Sequence, residues 1–303
     1  MKITVLLGGW SSEREVSLVS GAACADALTR LGHDVTTFDP PRDPAAIAAA
    51  MRAQKPDVVF NALHGEGGED GVMQALLDLL GLRYTHSPRL ASTVAMDKPL
   101  TKAVLAMHGV RSPEGKTLSV AQLADGHPLP RPYVLKPAAE GSSVGIAIVR
   151  EGDNTLPTND GWDDTTVLLA ERFIAGRELT VAVLGGEALA VTEIVFSTEM
   201  FDYTAKYTAG HARHVLPADV PASIATLAMR WAATAHDVLG CAGATRSDFR
   251  WDPKQGDDGL FFLEINTQPG MTPISLVPEQ AQHRGRSFDE LVGWMVEDAC
   301  QRA

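Results

Sequence analysis

Alternation along Gly259-Leu260-Phe261-Phe262-Leu263-Glu264-Ile265-Asn266 constrains the fold more tightly than any other stretch, because an apolar strand here carries oxygen-bearing side chains on one face. Successive strand residues point to opposite sides, so Glu264 and Asn266 project together while Leu263 and Ile265 face the core. A second strand-like run, residues 244–251, precedes it, and the polar stretch from Pro253 to Asp258 reads as the turn of a hairpin. With the turn centred near Gly256, Asp248 falls opposite Glu264 and Arg246 opposite Asn266. Two carboxylates facing each other repel unless a cation lies between them. A hard divalent ion such as Mg2+ takes oxygens of this kind and completes its shell with water and substrate phosphates. An ordinary amphipathic hairpin with a wet face accounts for the pattern equally well.

The opening third alternates strands and helices: strands at Ile3–Leu7, Val35–Phe38 and Val58–Leu63, helices at about 12–30, 44–52 and 70–80. Such spacing predicts βαβ units and a parallel sheet. At Met96-Asp97-Lys98-Pro99 the pattern changes, with Asp97 suited to an N-cap and Pro99 to a first helical turn. Expected units are residues 1–96, an N-terminal α/β domain, residues 97–184, a smaller α+β lobe, and residues 185–303, a second lobe carrying the hairpin. A formal net charge of −12 excludes broad contact with nucleic acid or an anionic membrane. The N-terminus enters a strand at once without a leader pattern, and no apolar run approaches a membrane span, so a cytoplasmic protein is expected. Cys24, Cys241 and Cys300 are odd in number and far apart, which suggests neither a disulfide framework nor a zinc site.

Several loops could carry chemistry. The first, Gly8 to Glu15, joins a strand to a helix, where α/β sheets bind ligands. Ser12 and Glu15 fit a capping box. Glu13, left outside that box, suits a substrate ammonium as well as a solvated first turn. A glycine-rich loop, His64 to Gly71, follows the third strand, and His64 could orient a substrate or relay a proton. The run Gly109 to Thr117 imitates a phosphate loop but has five residues between its glycines where four are required. More persuasive is Lys136-Pro137 leading into Gly141-Ser142-Ser143-Val144-Gly145, a lysine followed by a small hydroxyl-rich loop able to fold over phosphates. Lys98 at a helix start could add charge. The strand Leu168 to Ile174 offers backbone and apolar groups to a planar base, with Glu171 and Glu178 as acceptors. The irregular stretch around Phe201 to Tyr207 is too long for a connector and favours a lid.

In order and spacing these motifs resemble the ATP-grasp superfamily and, within it, the D-alanine:D-alanine ligases. The match runs over nearly the whole chain, through Leu7-Gly8-Gly9, Ala62-Leu63-His64-Gly65, Met96-Asp97-Lys98, Lys136-Pro137, Glu140 to Gly145, Ala205-Lys206-Tyr207, and Glu264 to Pro278. The resemblance implies an α/β chain with a pre-ATP-grasp domain and two ATP-grasp lobes. It also implies ATP-dependent joining of two D-alanines through an acyl phosphate, in a homodimer that uses ATP and Mg2+ or Mn2+. It puts Asp248, Glu264 and Asn266 on the metal and Lys98 and Lys136 on phosphates, with Ser143 and Lys206 also at the nucleotide. Glu171, Arg172, Phe173, Ile174 and Glu178 would surround adenine and ribose. Glu13 would hold the first ammonium in a network with Ser142 and Tyr207. Arg246 and the Gly270 amide would stabilise the oxyanion, Ser275 would bind the second carboxylate, and His64 would also face substrate.

Departures from the family pattern are Gln268 where many relatives have Ser, Pro273-Ile274 before Ser275, and His86-Ser87-Pro88 in place of a more glycine-rich turn. Two rivals follow. A depsipeptide ligase joining D-alanine to D-lactate is disfavoured by Lys206-Tyr207, and a non-catalytic nucleotide-binding protein by the intact Asp248, Glu264, Asn266 and Arg246.

Overall fold

The computed structural model describes residues 1–139, 145–153, 162–196 and 212–302. Strands β1 (Lys2–Leu6), β2 (Asp34–Phe38) and β3 (Val58–Asn61) form the expected parallel sheet, in the order β2-β1-β3. Helices α1 (Arg14–Arg30), α2 (Pro44–Gln54) and α3 (Val72–Leu79) connect and follow them. A parallel sheet needs cover on both faces. On one side Ile3, Val5 and Phe60 pack with Cys24 and Leu28 of α1 and with Leu291 and Met295 of α8 (Phe288–Gln301), while on the other Leu6 and Val59 pack with Ile47, Met73 and Leu77. The last helix of the chain therefore completes the core of the first domain.

Two antiparallel sheets follow. The first comprises β4 (Gly115–Ser119), β5 (Tyr133–Pro137), β6 (Ala147–Val149) and β7 (Val167–Arg172), ordered β4-β7-β5-β6. Its edge strand β4 is part of the run that imitated a phosphate loop. The second comprises β8 (Arg177–Leu184), β9 (Glu187–Phe196), β10 (Ala212–Val215), β11 (Ala244–Trp251) and β12 (Leu260–Asn266), ordered β10-β9-β8-β11-β12. Helix α6 (Ala222–Val238) buries Ile224, Trp231 and Ala235 against Val181, Val183, Phe249 and Phe262 of that sheet. Since β8 pairs along its whole length with β11, residues 177–184 belong to the same sheet as the hairpin. Among the described residues four short strands and α-helices went unread in the sequence: β4, α4 (Arg89–Met96), β10, and α7 (Leu276–His283).

Capping follows the sequence at one place and departs from it at another. Helix α5 (Lys98–Ala106) starts as expected: Asp97 Oδ1 accepts from the Leu100 amide at 2.9 Å and Pro99 occupies the first turn. The Ser12/Glu15 box does not form. Helix α1 begins a residue later, after Glu13, with no side-chain cap, and Ser12 and Glu15 are both exposed. The cause is tertiary: Ser11 Oγ takes the Glu13 amide at 3.1 Å and donates to the His64 carbonyl at 2.6 Å, which sets where the chain turns into the helix. Asp97→Ala should therefore lower stability by about 1 kcal/mol in a urea melt, while Glu15→Ala changes it by less than about 0.5 kcal/mol.

Candidate active site

The register places Asp248 against Glu264 and Arg246 against Asn266, as the sequence predicts. Between Asp248 and Phe249 the partner strand advances by two residues, so Leu263 is the extra residue of a β-bulge. Bulges re-aim side chains beside functional sites. This one leaves Leu263 half-buried on the wall of a cleft instead of in the core, where alternation had put it, while Ile265 keeps its core position.

The cleft encloses about 740 Å³, part of it open to solvent, between the two antiparallel sheets. Val134, Ile146 and Ile148 form its apolar side with Pro113, Phe173 and Ile174, and Lys136, Glu171, Glu178, Asp248, Arg250 and Glu264 its polar side. Arg172 also lines it, with its guanidinium 5.0 Å from the Phe261 ring centre. The mixture of a flat apolar wall and a few convergent charges is that of a small-molecule site.

Buried charges around the cleft are paired. Asp248 accepts from Thr180 Oγ1 at 2.7 Å and from Arg246 through Nε at 3.0 Å and Nη2 at 2.9 Å. Lys98 Nζ lies 3.4 Å from Glu264 Oε2. Glu171 does not present a free carboxylate to a base as expected: it is buried between Lys102, on Oε1, and Lys136, 2.6 Å from Oε2. Burial opposes charge on all three. The attraction of Glu171 and Glu264 nevertheless holds Lys136 above the ordinary lysine range, and the two lysines hold Glu171 below the usual carboxylate range. Lys102 is pushed down to about 7, by burial first and then by the Lys136 charge. Glu178 pairs with Arg250 at 3.7 Å, and Arg250 also donates to the carbonyls of Ile174 and Gly176.

Lys102 and Arg250 were missed, although the periodicities that found their neighbours reach them. Lys102 is four residues after Lys98 on one helix face, and Arg250 continues the row Arg246, Asp248 along β11.

Asp248, Glu264 and Asn266 make a donor set of two carboxylates and an amide, suited to a hard divalent cation. No cluster of three or more His, Cys, Asp or Glu at metal-binding distance occurs among the described residues.

His64 is held from both sides of its ring. Its Nδ1 bonds the Gln268 carbonyl at 2.9 Å and its Nε2 the Ser20 hydroxyl at 3.2 Å, and that hydroxyl also accepts from the Met271 amide. Both nitrogens bond within the protein, so the ring anchors the segment 268–271, with Gly270 inside it. At that segment Ser275 Oγ turns back to Thr272, and a Cβ on Gly270 would come within 3.2 Å of it, so Gly270 and Ser275 are brought together. Glu13 is buried beside the Gly65 backbone at the neighbouring loop. Ser142, Ser143, Lys206 and Tyr207 lie outside the described residues.

The chain is similar to known ligases over nearly its whole length. The family description "D-ala D-ala ligase C-terminus" matches residues 104–297 and "D-ala D-ala ligase N-terminus" residues 41–87. A curated D-alanine–D-alanine ligase of Rhizorhabdus wittichii is 57% identical over 304 residues, covering 99% of this chain and 96% of its own. That of Gluconobacter oxydans is 53% identical over 305 residues, covering 100% of both chains. Among solved structures, the Bacillus anthracis D-alanine–D-alanine ligase complexed with ATP superposes with TM-score 0.79 at 25% identity, over 99% of this chain and 98% of that one. The VanG D-Ala:D-Ser ligase of Enterococcus faecalis gives 0.79 at 26% identity, over 98% and 99%.

Two outcomes follow from the buried charges. Lys102→Met leaves Glu171 with one cation and should cost about 1–3 kcal/mol of stability in denaturant melts. Burial, opposed by the Gln268 carbonyl, pushes the His64 pKa down to about 4, so between roughly pH 6.5 and 4 the unfolded chain binds a proton that the folded one does not. Stability attributable to this ring is complete above pH 6.5 and falls toward pH 4 by about 1.4 kcal/mol per unit. His64→Gln should flatten the measured slope by about that amount.

Proposed function

The chain belongs to the D-alanine–D-alanine ligase family, and on that premise we propose how its cleft joins two D-alanine molecules, using ATP, to give D-alanyl-D-alanine, ADP and phosphate for peptidoglycan precursors. The observation that carries the reading is the opposed pair Asp248 and Glu264 at one end of an apolar cleft whose other charged wall holds buried Lys136. Adenine would lie between Val134, Ile146 and Ile148 on one side and Leu263 on the other, with the Arg172 to Ile174 backbone and Glu178 along its edge. Lys136 and Lys98 would hold the phosphates. Glu171 serves them from behind, by fixing Lys136.

Mg2+ held by Asp248, Glu264 and Asn266 would neutralise phosphate charge as the terminal phosphoryl group moves to the first D-alanine carboxylate. Phosphoryl transfer is chiefly positioning and charge neutralisation, which is what paired lysines and an arginine in a low-dielectric cleft provide. Glu13 would hold the first ammonium. Arg246 and the Gly270 amide would take the oxyanion formed when the second amino group attacks the acyl phosphate, with Ser275 on the second carboxylate. An acyl phosphate must be shielded from water, and the segments bearing Ser142, Ser143, Lys206 and Tyr207 would close over it.

We assign the enzyme to the cytoplasm, where ATP and D-alanine meet, and to a homodimer. No helix among the described residues is long and apolar enough to cross a membrane.

Purified enzyme with ATP and D-alanine should release ADP and form the dipeptide. An ester with D-lactate in place of the dipeptide would reject the amide reading, and the absence of D-alanine-dependent phosphate release would reject ligation altogether. Arg246→Met should lower kcat by roughly 10²- to 10³-fold. Glu264→Gln should lower it by roughly 100-fold or more, with unchanged circular dichroism.

A further inference from the structure

Glu69 is a buried acid that the reaction as described leaves without a task. It stands on the glycine-rich loop after β3, is 6% exposed, and its Oε2 has no hydrogen-bond partner. Beside it the carbonyl of Gly68 accepts from Gln268 Nε2, and the Gln268 Oε1, also buried, is likewise without a donor. Buried acceptors left unsatisfied cost about 1–3 kcal/mol each, so a site that keeps two of them invites a donor.

The charges that act on Glu69 say which donor. Burial and then the carboxylate of Glu13 push its pKa well above the usual carboxylate range, while the Gly65 amide, Lys98 and Arg246 pull the other way. His64, on the same loop, is neutral. The charges of Glu13, Lys98 and Arg246, to which the reading above gives the first ammonium, the phosphates and the oxyanion, therefore all act on Glu69, and Glu13 lies beside the same Gly65. A cation entering there restores the ionised carboxylate, so Glu69 gives its proton to solvent as an ammonium docks.

The second amino acid arrives as an ammonium and must become an amine before it can attack. We propose that Glu69 is the proton acceptor for that step: its buried, unpartnered Oε2, in the field of Glu13, Lys98 and Arg246, receives the incoming ammonium and removes one proton from it. This rests on the ligase reading above. The freed nitrogen lone pair adds to the acyl phosphate carbon. As the C–N bond forms, the C–O bond to phosphate breaks, phosphate leaves with its electron pair, and the second nitrogen proton goes to the departing phosphate. The proton taken from the ammonium leaves Glu69 in the acid form it had before the ammonium docked, ready for the next cycle. A base of pKa above the normal carboxylate value is better matched to this task than an exposed glutamate.

The test compares two acceptors on the same acyl phosphate. Hydroxylamine is already uncharged near neutral pH and gives D-alanyl hydroxamate, whereas D-alanine must lose a proton. In Glu69→Gln, dipeptide formation should fall roughly 10²-fold and at least ten times more than hydroxamate formation. Its residual dipeptide rate should climb about tenfold per pH unit below the amine pKa. Glu69→Asp, which keeps a carboxylate, should recover part of the loss, and thermal melts of both variants should show an intact fold.

Equal loss with both acceptors, or a raised KM for the first D-alanine, would overturn the proposal in favour of a structural or donor-binding role. Dipeptide synthesis at the wild-type rate in Glu69→Gln would overturn it too. If the wild-type enzyme makes neither product, the ligase reading fails and the proposal falls with it.

Discussion

Opposition of Asp248 and Glu264 across β11 and β12 is a repulsive arrangement that the surrounding fold has to hold in place. Left alone it would pry the hairpin apart. Arg246 grips Asp248 with two hydrogen bonds, Thr180 supplies a third, and Lys98 reaches Glu264 from another element. A concentration of negative charge is thereby kept at the mouth of an apolar cleft, where it can receive a cation and the phosphates that follow it. The bulge at Leu263 belongs to the same solution, because it bends the strand and gives the cleft an apolar wall beside the carboxylates.

Helix α5 transmits this arrangement from one sheet to the other. One face carries Lys98 to Glu264 on β12 and, a turn later, Lys102 to Glu171 on β7. Glu171 also binds Lys136 of β5, so a single helix face fixes charges on both walls of the cleft. Because these groups are buried, their mutual attraction is little screened, and removal of one leaves its partner exposed to the full cost of burial. The first domain is tied in by the same means: His64 and Ser20 hold the backbone of 268–271, and the closing helix α8 covers the first sheet. Loops that follow strands β1, β3 and β12 thus meet at one place although they lie far apart in the chain.

Much of this was legible in order along the sequence. The hairpin register followed from period-two alternation and a turn of fixed length, and Asp97 with Pro99 marked the start of α5 through local capping chemistry alone. Other readings failed where a remote partner outweighed a local preference. Ser12 and Glu15 had the spacing of a capping box, but Ser11 was already committed to His64 across the domain. Glu171 alternated as a strand acceptor would, yet two buried lysines claimed it. His86 occupies a turn in the left-handed region, at φ 69°, where glycine is the easier residue. It is held there by Phe60 against its ring and by Arg302 on its carbonyl, contacts that the turn itself does not announce.

The sequence by itself determined which chemical groups this protein owns and along which strands and helices they repeat, because side-chain period and capping depend only on near neighbours. It determined the parallel first sheet, the paired hairpin and the presence of carboxylates, lysines and an arginine in an order typical of ATP-grasp ligases. Tertiary structure alone decided which charge meets which. Coulomb attraction in a buried cleft depends on separations of a few ångströms between residues scores of positions apart, and no local pattern encodes those distances. That is why Lys102 and Arg250 came to light only in the fold, and why Glu69 was seen to keep a buried oxygen without a hydrogen-bond partner.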